Sequence, residues 1–225
     1  GFDDTTLIPN TFERNEFLKY WFVIDKGPMI NEYRDFHRAD LYPNYLQLTR
    51  RAGISSVKGY KPSKTAKLRL ECRFIYRHHK EGMWFTFRGN GARDPSSDGG
   101  FPYNEGVETS IAGPRGIDGQ SKFSNRIWII QKDGDFSIQQ DTKTAQQPRD
   151  KEMTMIITDD GERMQIQCTG IDDNVYDMEC NNTTISNPAG LYRVVMYNRR
   201  DPGRVSDITY LKLSVIAACD ESTKE

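Results

Sequence analysis

The chain has 225 residues and a formal net charge of −1, from 31 Lys and Arg against 32 Asp and Glu. This balance gives no general attraction to nucleic acid, so binding of anions must come from local clusters of charge. Hydrophobic residues make up 36% of the chain and aromatic residues 11%, which argues against disorder and allows a sizeable core. No apolar run approaches the roughly 20 residues that span a membrane.

Segments typical of β-strands follow one another along the whole chain. They alternate polar and apolar residues, or they are short runs of β-branched and aromatic residues. The predicted strands are 17–24, 45–51, 66–79, 83–89, 106–112, 125–132, 136–140, 152–160, 163–170, 174–180, 190–200 and 207–218. Helical periodicity is scarce, and residues 11–20 predict a turn or two of helix at most.

Short turn sequences join several of these strands. Lys-Glu-Gly at 80–82, Lys-Asp-Gly-Asp at 132–135 and Asp-Asp-Gly-Glu at 159–162 each favour a hairpin. Residues 89–106 are rich in Gly, Pro, Asp and Ser and predict a long loop. About twelve strands with many hairpins and no helical spacer predict an all-β fold, a two-sheet antiparallel β-sandwich or jelly roll, with residues 1–225 as a single domain.

The segment 67–79 has an unusual division of side chains. With a period of two, one face carries Leu68, Leu70, Cys72, Phe74 and Tyr76. The other face carries Lys67, Arg69, Glu71, Arg73, Arg77 and His79, interrupted only by Ile75. This pattern predicts a long, half-buried strand with a basic outer face. Because a guanidinium group grips carboxylate and sulfate through two parallel hydrogen bonds, the outer face predicts an anion-binding surface.

Two later segments carry polar side chains of a similar kind. Gln131 and Asp133 share a face at the end of the predicted strand 125–132. Arg193, Tyr197 and Arg199 share a face of the predicted strand 190–200. If these strands and the arginine strand lie in one sheet, they form a basic groove that contains an aromatic residue.

Two of the segments resemble motifs of a known family. "RLECR" at 69–73 resembles the R-x-E-x-R strand motif of the jelly-roll alginate lyases (polysaccharide lyase family 7) and related uronate lyases. "LYRVVMYNR" at 191–199 is similar to the family's late Y-x-K-x-G-x-Y-N-Q strand. Tyr197 and Asn198 match, and Arg193 stands for the Lys.

The middle motif of that family is Gln-Ile-His, and here "QKD" at 131–133 supplies the Gln while Asp133 stands where the His is expected. The three motifs occur in the same order along the chain as in the family. The first and last together cover under a tenth of the chain, so the rest of the resemblance depends on architecture.

The resemblance implies a concanavalin-like jelly roll that cleaves a uronate-containing glycan, such as alginate or polyglucuronate, by β-elimination. Tyr197 would transfer the proton, while Gln131 and Arg69 would stabilise the charge that develops on the substrate carboxylate. The implied substrate-binding residues are Glu71, Arg73, Arg77, His79, Lys132, Arg193, Asn198 and Arg199. No cofactor is required, and a structural Ca²⁺ at 94–100 or 133–136 is left open.

Two other functions fit the same pattern. A non-catalytic, lectin-like carbohydrate-binding sandwich would show aromatic platforms and no proton-transfer residue in its groove. A structural or adhesive extracellular domain would have no groove. A glycosidase is disfavoured, because Glu105 and Glu108 have the odd spacing that puts them on opposite faces of a strand.

The four cysteines bear on the compartment. Cys168 and Cys180 bracket a predicted hairpin and predict a disulfide, whereas Cys72 is either a core thiol or a partner of Cys219. Asn181 and Asn182 each begin an N-x-[ST] glycosylation sequence. These features predict a secreted, monomeric protein whose partner is an acidic polysaccharide, with no nucleic acid and no membrane.

Overall fold

The computed structural model describes residues 2–24, 39–49, 53–77, 83–89, 106–112, 124–131, 134–136, 150–169, 175–179, 193–198 and 205–218. These residues form fifteen strands and one helix, α1 (Arg14–Tyr20). The strands are β1 (Phe2–Ile8), β2 (Trp21–Ile24), β3 (Ala39–Tyr42), β4 (Tyr45–Thr49), β5 (Gly53–Ser56), β6 (Ala66–Tyr76), β7 (Met83–Gly89), β8 (Gly106–Ala112), β9 (Ser124–Gln131), β10 (Gly134–Phe136), β11 (Glu152–Asp159), β12 (Arg163–Thr169), β13 (Val175–Glu179), β14 (Arg193–Asn198) and β15 (Val205–Ala218). Within these ranges, no helix is long and apolar enough to cross a membrane.

The strands form two sheets. An eight-stranded sheet has the order β13-β12-β11-β6-β15-β4-β3, and β1 also pairs with β15. A seven-stranded sheet has the order β10-β9-β8-β7-β14-β5-β2. Every strand pair is antiparallel. The predicted all-β, two-sheet antiparallel jelly roll is confirmed.

The core is a layer of apolar side chains contributed by both sheets. The eight-stranded sheet supplies Leu70, Cys72 and Phe74 from β6, together with Leu46, Leu48, Met155, Ile157, Met164, Ile166, Ile208, Leu211 and Leu213. The seven-stranded sheet supplies Ile54, Phe85, Phe87, Val194 and Met196. On β6 and β11 alternate residues face this layer, so the side chains between them face away from it.

The helix replaces the first half of a predicted strand. The prediction of one strand over 17–24 was wrong for its first four residues, which belong to α1. The Glu13 carboxylate caps the helix by accepting hydrogen bonds from the backbone N–H groups of Asn15 and Glu16. Phe17 and Trp21 are one helical turn apart, and their rings stack at 6.5 Å in the core.

The predicted Asp-Asp-Gly-Glu hairpin is confirmed between β11 and β12. The carboxylate of Asp160 accepts hydrogen bonds from the backbone N–H groups of Glu162 and Arg163, at 2.9 and 2.6 Å. Gly161 has a φ of 89°, in the left-handed region that glycine enters without strain. A β-carbon at this position would lie 3.0 Å from the carbonyl oxygen of Pro62, so both backbone and space require glycine.

Candidate functional site

The arginine strand is β6, in the middle of the eight-stranded sheet between β11 and β15. Its alternate residues Leu68, Leu70, Cys72 and Phe74 are buried in the core. The residues between them therefore lie on the outer face of the sheet, as the sequence predicts. This confirms the division of the strand into an apolar face and a charged face.

One carboxylate holds two guanidinium groups on this outer face. Glu71 Oε2 lies 3.3 Å from Arg69 Nη2, and Glu71 Oε1 lies 3.1 Å from Arg73 Nη2. The Glu71 side chain is only 15% exposed, so its ion pairs are partly shielded from water. Two positive charges and one negative charge leave this triad with a net charge of +1.

Arg73 is also held by an aromatic ring. Its partner across the β6–β15 pair is Tyr210, and the Arg73 guanidinium carbon lies 4.6 Å from the centre of the Tyr210 ring. This is a cation–π distance. Among the described residues Arg73 Nε is buried without a hydrogen-bond partner, while the side chain as a whole is 43% exposed. Arg73 is thus fixed in position with part of its guanidinium group open to solvent.

The same face carries a second ion pair beside the triad, because Lys212 on β15 is the register partner of Glu71. Lys212 Nζ lies 3.3 Å from Asp4 Oδ2. The nearby Ser214 hydroxyl is the largest cause of the lowered pKa of Asp4, against the opposing effect of partial burial. The charges of Lys212 and Arg69 act in the same direction as Ser214. Asp4 on β1 therefore belongs electrostatically to the charged face of β6 and β15.

Arg77, a predicted substrate-binding residue, is bound by two carboxylates of the protein. Its Nε donates to Asp207 Oδ2 at 2.7 Å, and its Nη1 donates to Asp150 Oδ1 at 3.2 Å. Gln47 Nε2 donates to the other oxygen of Asp207 at 2.9 Å. The hydrogen bond with Asp207 is the largest cause of the raised pKa of Arg77. This network joins β4, β15 and the end of β6, and the predicted ligand contact of Arg77 stays a prediction.

The two walls of the predicted groove belong to different sheets. β6 lies in the eight-stranded sheet, whereas β9 and β14 lie in the seven-stranded sheet. The backbone of Tyr197 pairs with Gly53 and Trp84, and that of Gln131 pairs with Gly134. Because Arg69 faces away from the core, one sheet and the core layer separate it from both strands. The prediction of a single groove that unites these residues was therefore wrong.

The individual roles predicted for these residues stay predictions. Arg193 and Asn198 lie on β14, where their backbones pair with Gly89 and Met83. Arg69, Glu71 and Arg73 lie together on the outer face of the other sheet, as described above. Cys168 lies on β12, where its backbone pairs with Met155, and its disulfide with Cys180 stays a prediction. The remaining predicted positions lie outside the described residues: His79, Lys132, Arg199, Cys180, the glycosylation sites Asn181 and Asn182, and the loop segment 94–100.

No metal centre is found in the part of the chain that the structure describes. Within it, no group of three or more His, Cys, Asp or Glu side chains is placed to hold a metal ion. Cys72 is fully buried in the core. Its predicted alternative partner, Cys219, lies outside the described residues.

The sequence did not predict a stacked tyrosine pair in the β3–β4 hairpin. Tyr42 and Tyr45 face each other across this two-residue hairpin, with ring centres 4.5 Å apart and ring planes at 14°. Tyr42 is 38% exposed. Desolvation, the neighbouring Tyr42 and the charge of Asp207 raise the pKa of Tyr45. The available signal was Tyr-Pro-Asn-Tyr at 42–45, two aromatic residues on either side of a turn sequence.

No family model and no curated protein matches the chain, but solved structures match it over nearly their whole length. The CBM2 module of the evolved Dit protein of Lactobacillus casei BL23 phage J-1 is 12% identical with a TM-score of 0.58, covering 97% of this chain and 98% of that one. The potassium-bound carbohydrate recognition domain of Emp46p is 14% identical with a TM-score of 0.59, covering 92% and 94%. The lectin from Bauhinia forficata in complex with GalNAc is 10% identical with a TM-score of 0.58, covering 96% and 99%. The TM-scores and coverage show a shared fold, the lectin-like β-sandwich.

Proposed function

We propose that this chain is a non-catalytic, lectin-like carbohydrate-binding β-sandwich that acts outside the cell. The observation that carries the proposal is the end-to-end similarity in fold to a CBM2 module, a carbohydrate recognition domain and a lectin bound to GalNAc. Fold alone does not fix function, so the proposal also draws on the surface. The stacked pair of the exposed Tyr42 and the half-buried Tyr45 is the aromatic platform expected of a carbohydrate-binding protein and not required of a lyase.

The polyuronate lyase is the competing proposal. It needs a proton-transfer residue close to the groups that neutralise the substrate carboxylate. The topology weighs against it, because the arginine strand and the strand of Tyr197 belong to different sheets. A lyase site would have to be built without Arg69, on the seven-stranded sheet that contains Tyr197 and Gln131.

An acidic glycan is the ligand class that the charged face supports. Arg69 and Arg73 share one carboxylate, so a ligand carboxylate or sulfate would balance the remaining positive charge. Calcium-bound VIP36 and potassium-bound Emp46p domains share the fold, which supports testing a structural cation. Secretion remains part of the proposal, on the cysteine and N-x-[ST] patterns of the sequence.

A glycan array combined with an elimination assay tests this function. The purified chain is applied to neutral and acidic glycans, with and without Ca²⁺, and is also incubated with alginate, polyglucuronate and pectate. Saturable binding to a glycan class without any rise in ultraviolet absorbance is expected. A steady rise from unsaturated uronate ends would establish the lyase instead. Absence of both signals would favour a structural or adhesive domain.

A further inference from the structure

We infer that the glycan lies across the outer face of the eight-stranded sheet, on a row formed by Tyr42, Tyr45, Tyr210 and Arg73, and that it is an acidic oligosaccharide. This inference depends on the proposed carbohydrate-binding function and adds to it a site and a ligand class. The four side chains are called the tyrosine–arginine row below.

The strand register brings the row together. Tyr42 pairs with Tyr45 across β3 and β4, and Tyr210 pairs with Arg73 across β15 and β6. The pairing of Leu46 with Ile208 brings Tyr45, one residue earlier on β4, to the bulge of β15 between Ile208 and Tyr210. Four adjacent strands thus carry the row, whose length across three strand spacings is roughly 14 Å.

The members of the row share the solvent face. On β4, Leu46 and Leu48 are buried in the core. Because side chains alternate along a strand, Tyr45 next to Leu46 lies on the outer face. Gln47, two residues further along β4, donates to Asp207 on the outer face, so Tyr45 lies on the same face of the strand. Tyr42 at one end and Arg73 at the other are both more than a third exposed, so a ligand can reach the two ends of the row.

The tyrosine rings suit the apolar face of a sugar. A tyrosine offers a flat, rigid surface with a polar hydroxyl at its edge and loses little conformational entropy on binding. Here the rings are held before any ligand arrives, since Tyr42 stacks on Tyr45 and Tyr210 is stacked against Arg73. Ordering costs at binding are therefore small.

Arg73 gives the row its preference for acidic sugars. Among the described residues its one hydrogen bond is from Nη2 to Glu71. Because Nε is buried, the N–H groups of Nη1 and the second N–H of Nη2 are the ones that a ligand would use. Glu71 is shared with Arg69, so it neutralises only part of the charge on Arg73. A carboxylate or sulfate group accepts paired hydrogen bonds from this geometry.

The network of Asp207 supports the row without touching the ligand. Asp207 binds Gln47 on β4 and Arg77 beyond the end of β6. It thereby fixes the position of β4 relative to β15, next to the bulge between Ile208 and Tyr210. Asp207 is a positioning residue in this account.

Calorimetric titration of four variants tests the row. The row variants are the double variant Tyr42→Ala/Tyr45→Ala and the single variant Arg73→Gln. The controls are Phe22→Ala, a 40% exposed aromatic residue on the other sheet, and Lys64→Gln, an exposed cation near the β11–β12 turn. The probes are oligogalacturonate, a heparin-derived oligosaccharide and a neutral oligomannoside, and melting temperatures confirm that each variant is folded.

The double tyrosine variant is expected to weaken binding of the acidic probe at least tenfold. Arg73→Gln is expected to weaken the acidic probe about tenfold, the size of one charge-assisted hydrogen bond, and to leave any neutral binding unchanged. The controls stay within twofold of the unmodified chain. Whether the uronate or the sulfated probe binds more tightly identifies the anion.

Three results overturn the inference in distinguishable ways. If the chain binds a glycan and the row variants bind it equally well, the proposed function stands and the site is wrong. If neither acidic nor neutral probe binds and no array glycan binds, the proposed function fails and the site with it. If sedimentation shows a dimer that dissociates on Tyr42→Ala, the row is a contact between two copies of the chain.

Discussion

The two faces of β6, a strand of eleven residues, contribute differently to the protein. On the inner face, Leu70, Cys72 and Phe74 are completely buried and contribute through removal of apolar surface from water. On the outer face, Arg69, Glu71 and Arg73 form partly exposed ion pairs, which contribute little to stability. A substitution at an even-numbered position from 68 to 74 therefore removes core packing, whereas one at 69, 71 or 73 changes a partly exposed charged surface.

The largest effect is expected on the inner face. Phe74→Ala removes a fully buried ring and should lower the free energy of unfolding by about 3–5 kcal/mol, measured by urea denaturation. The neighbouring outer-face variant Arg73→Ala is the control and should cost less than about 1 kcal/mol. Equal losses in the free energy of unfolding for the two variants would show that the two faces of β6 contribute alike to stability.

A buried carboxylate on the outer face should have an intermediate effect. The Asp207 side chain is only 9% exposed, and Asp207→Asn keeps its shape but removes the charge that Arg77 faces. We expect a loss of about 1–3 kcal/mol in the free energy of unfolding. Asp150→Asn is the matched control, because Asp150 binds the same Arg77 but is 53% exposed and should lose under about 1 kcal/mol. A larger loss for Asp150→Asn than for Asp207→Asn would show that burial does not determine which of these two contacts stabilises the fold more.

The shared carboxylate of the triad should matter less. Glu71→Gln removes the negative charge that Arg69 and Arg73 share. The expected loss in the free energy of unfolding is about 0.5–1 kcal/mol at low salt. Since salt screens charges that are accessible to solvent, the loss should shrink as ionic strength rises. Chemical denaturation at two salt concentrations measures it, and a loss that is independent of salt would contradict the account.

The smallest effect should depend on pH. The pKa of Asp4 is lowered in the folded protein, so the ionised carboxylate stabilises the fold at pH values above its unfolded pKa. That contribution is lost as the pH falls through the lowered, folded value. Asp4→Asn should therefore melt slightly below the unmodified chain near neutral pH, and the difference should vanish in strong acid. A difference in melting temperature that persists unchanged in acid would indicate that the charge of Asp4 is not its source.

Alternation predicted most strands, and where alternation is weak the prediction failed. β7 and β8 occupy the residues predicted for them, 83–89 and 106–112. β5 was missed because all four of its residues, Gly-Ile-Ser-Ser, are buried, so neither face is marked by polar side chains. β1 was missed because Asp and Thr dominate it, and its pairing with β15 is specified by backbone hydrogen bonds between distant segments.

The faces of the charged strand were predictable, but its neighbours were not. A period of two assigns each side chain of β6 to a face and says nothing about which sheet the strand enters. The resemblance of two motifs therefore placed β6 and β14 together, although they lie in different sheets. The tyrosine–arginine row escaped prediction for the same reason, since its tyrosines are brought together by β4 and β15, which meet across 160 residues at Gln47 and Asp207.

The central position of β15 also governs how the molecule folds. This strand pairs with β1, β4 and β6, so the middle of the eight-stranded sheet closes only after residues 205–218 have been synthesised. Contacts over such separations slow folding, and until β15 arrives one edge of β6 stays unpaired. Arginines and glutamate along an unpaired strand oppose edge-to-edge association with other chains. The charges on the outer face of β6 therefore protect the strand from aggregation while the protein is being made.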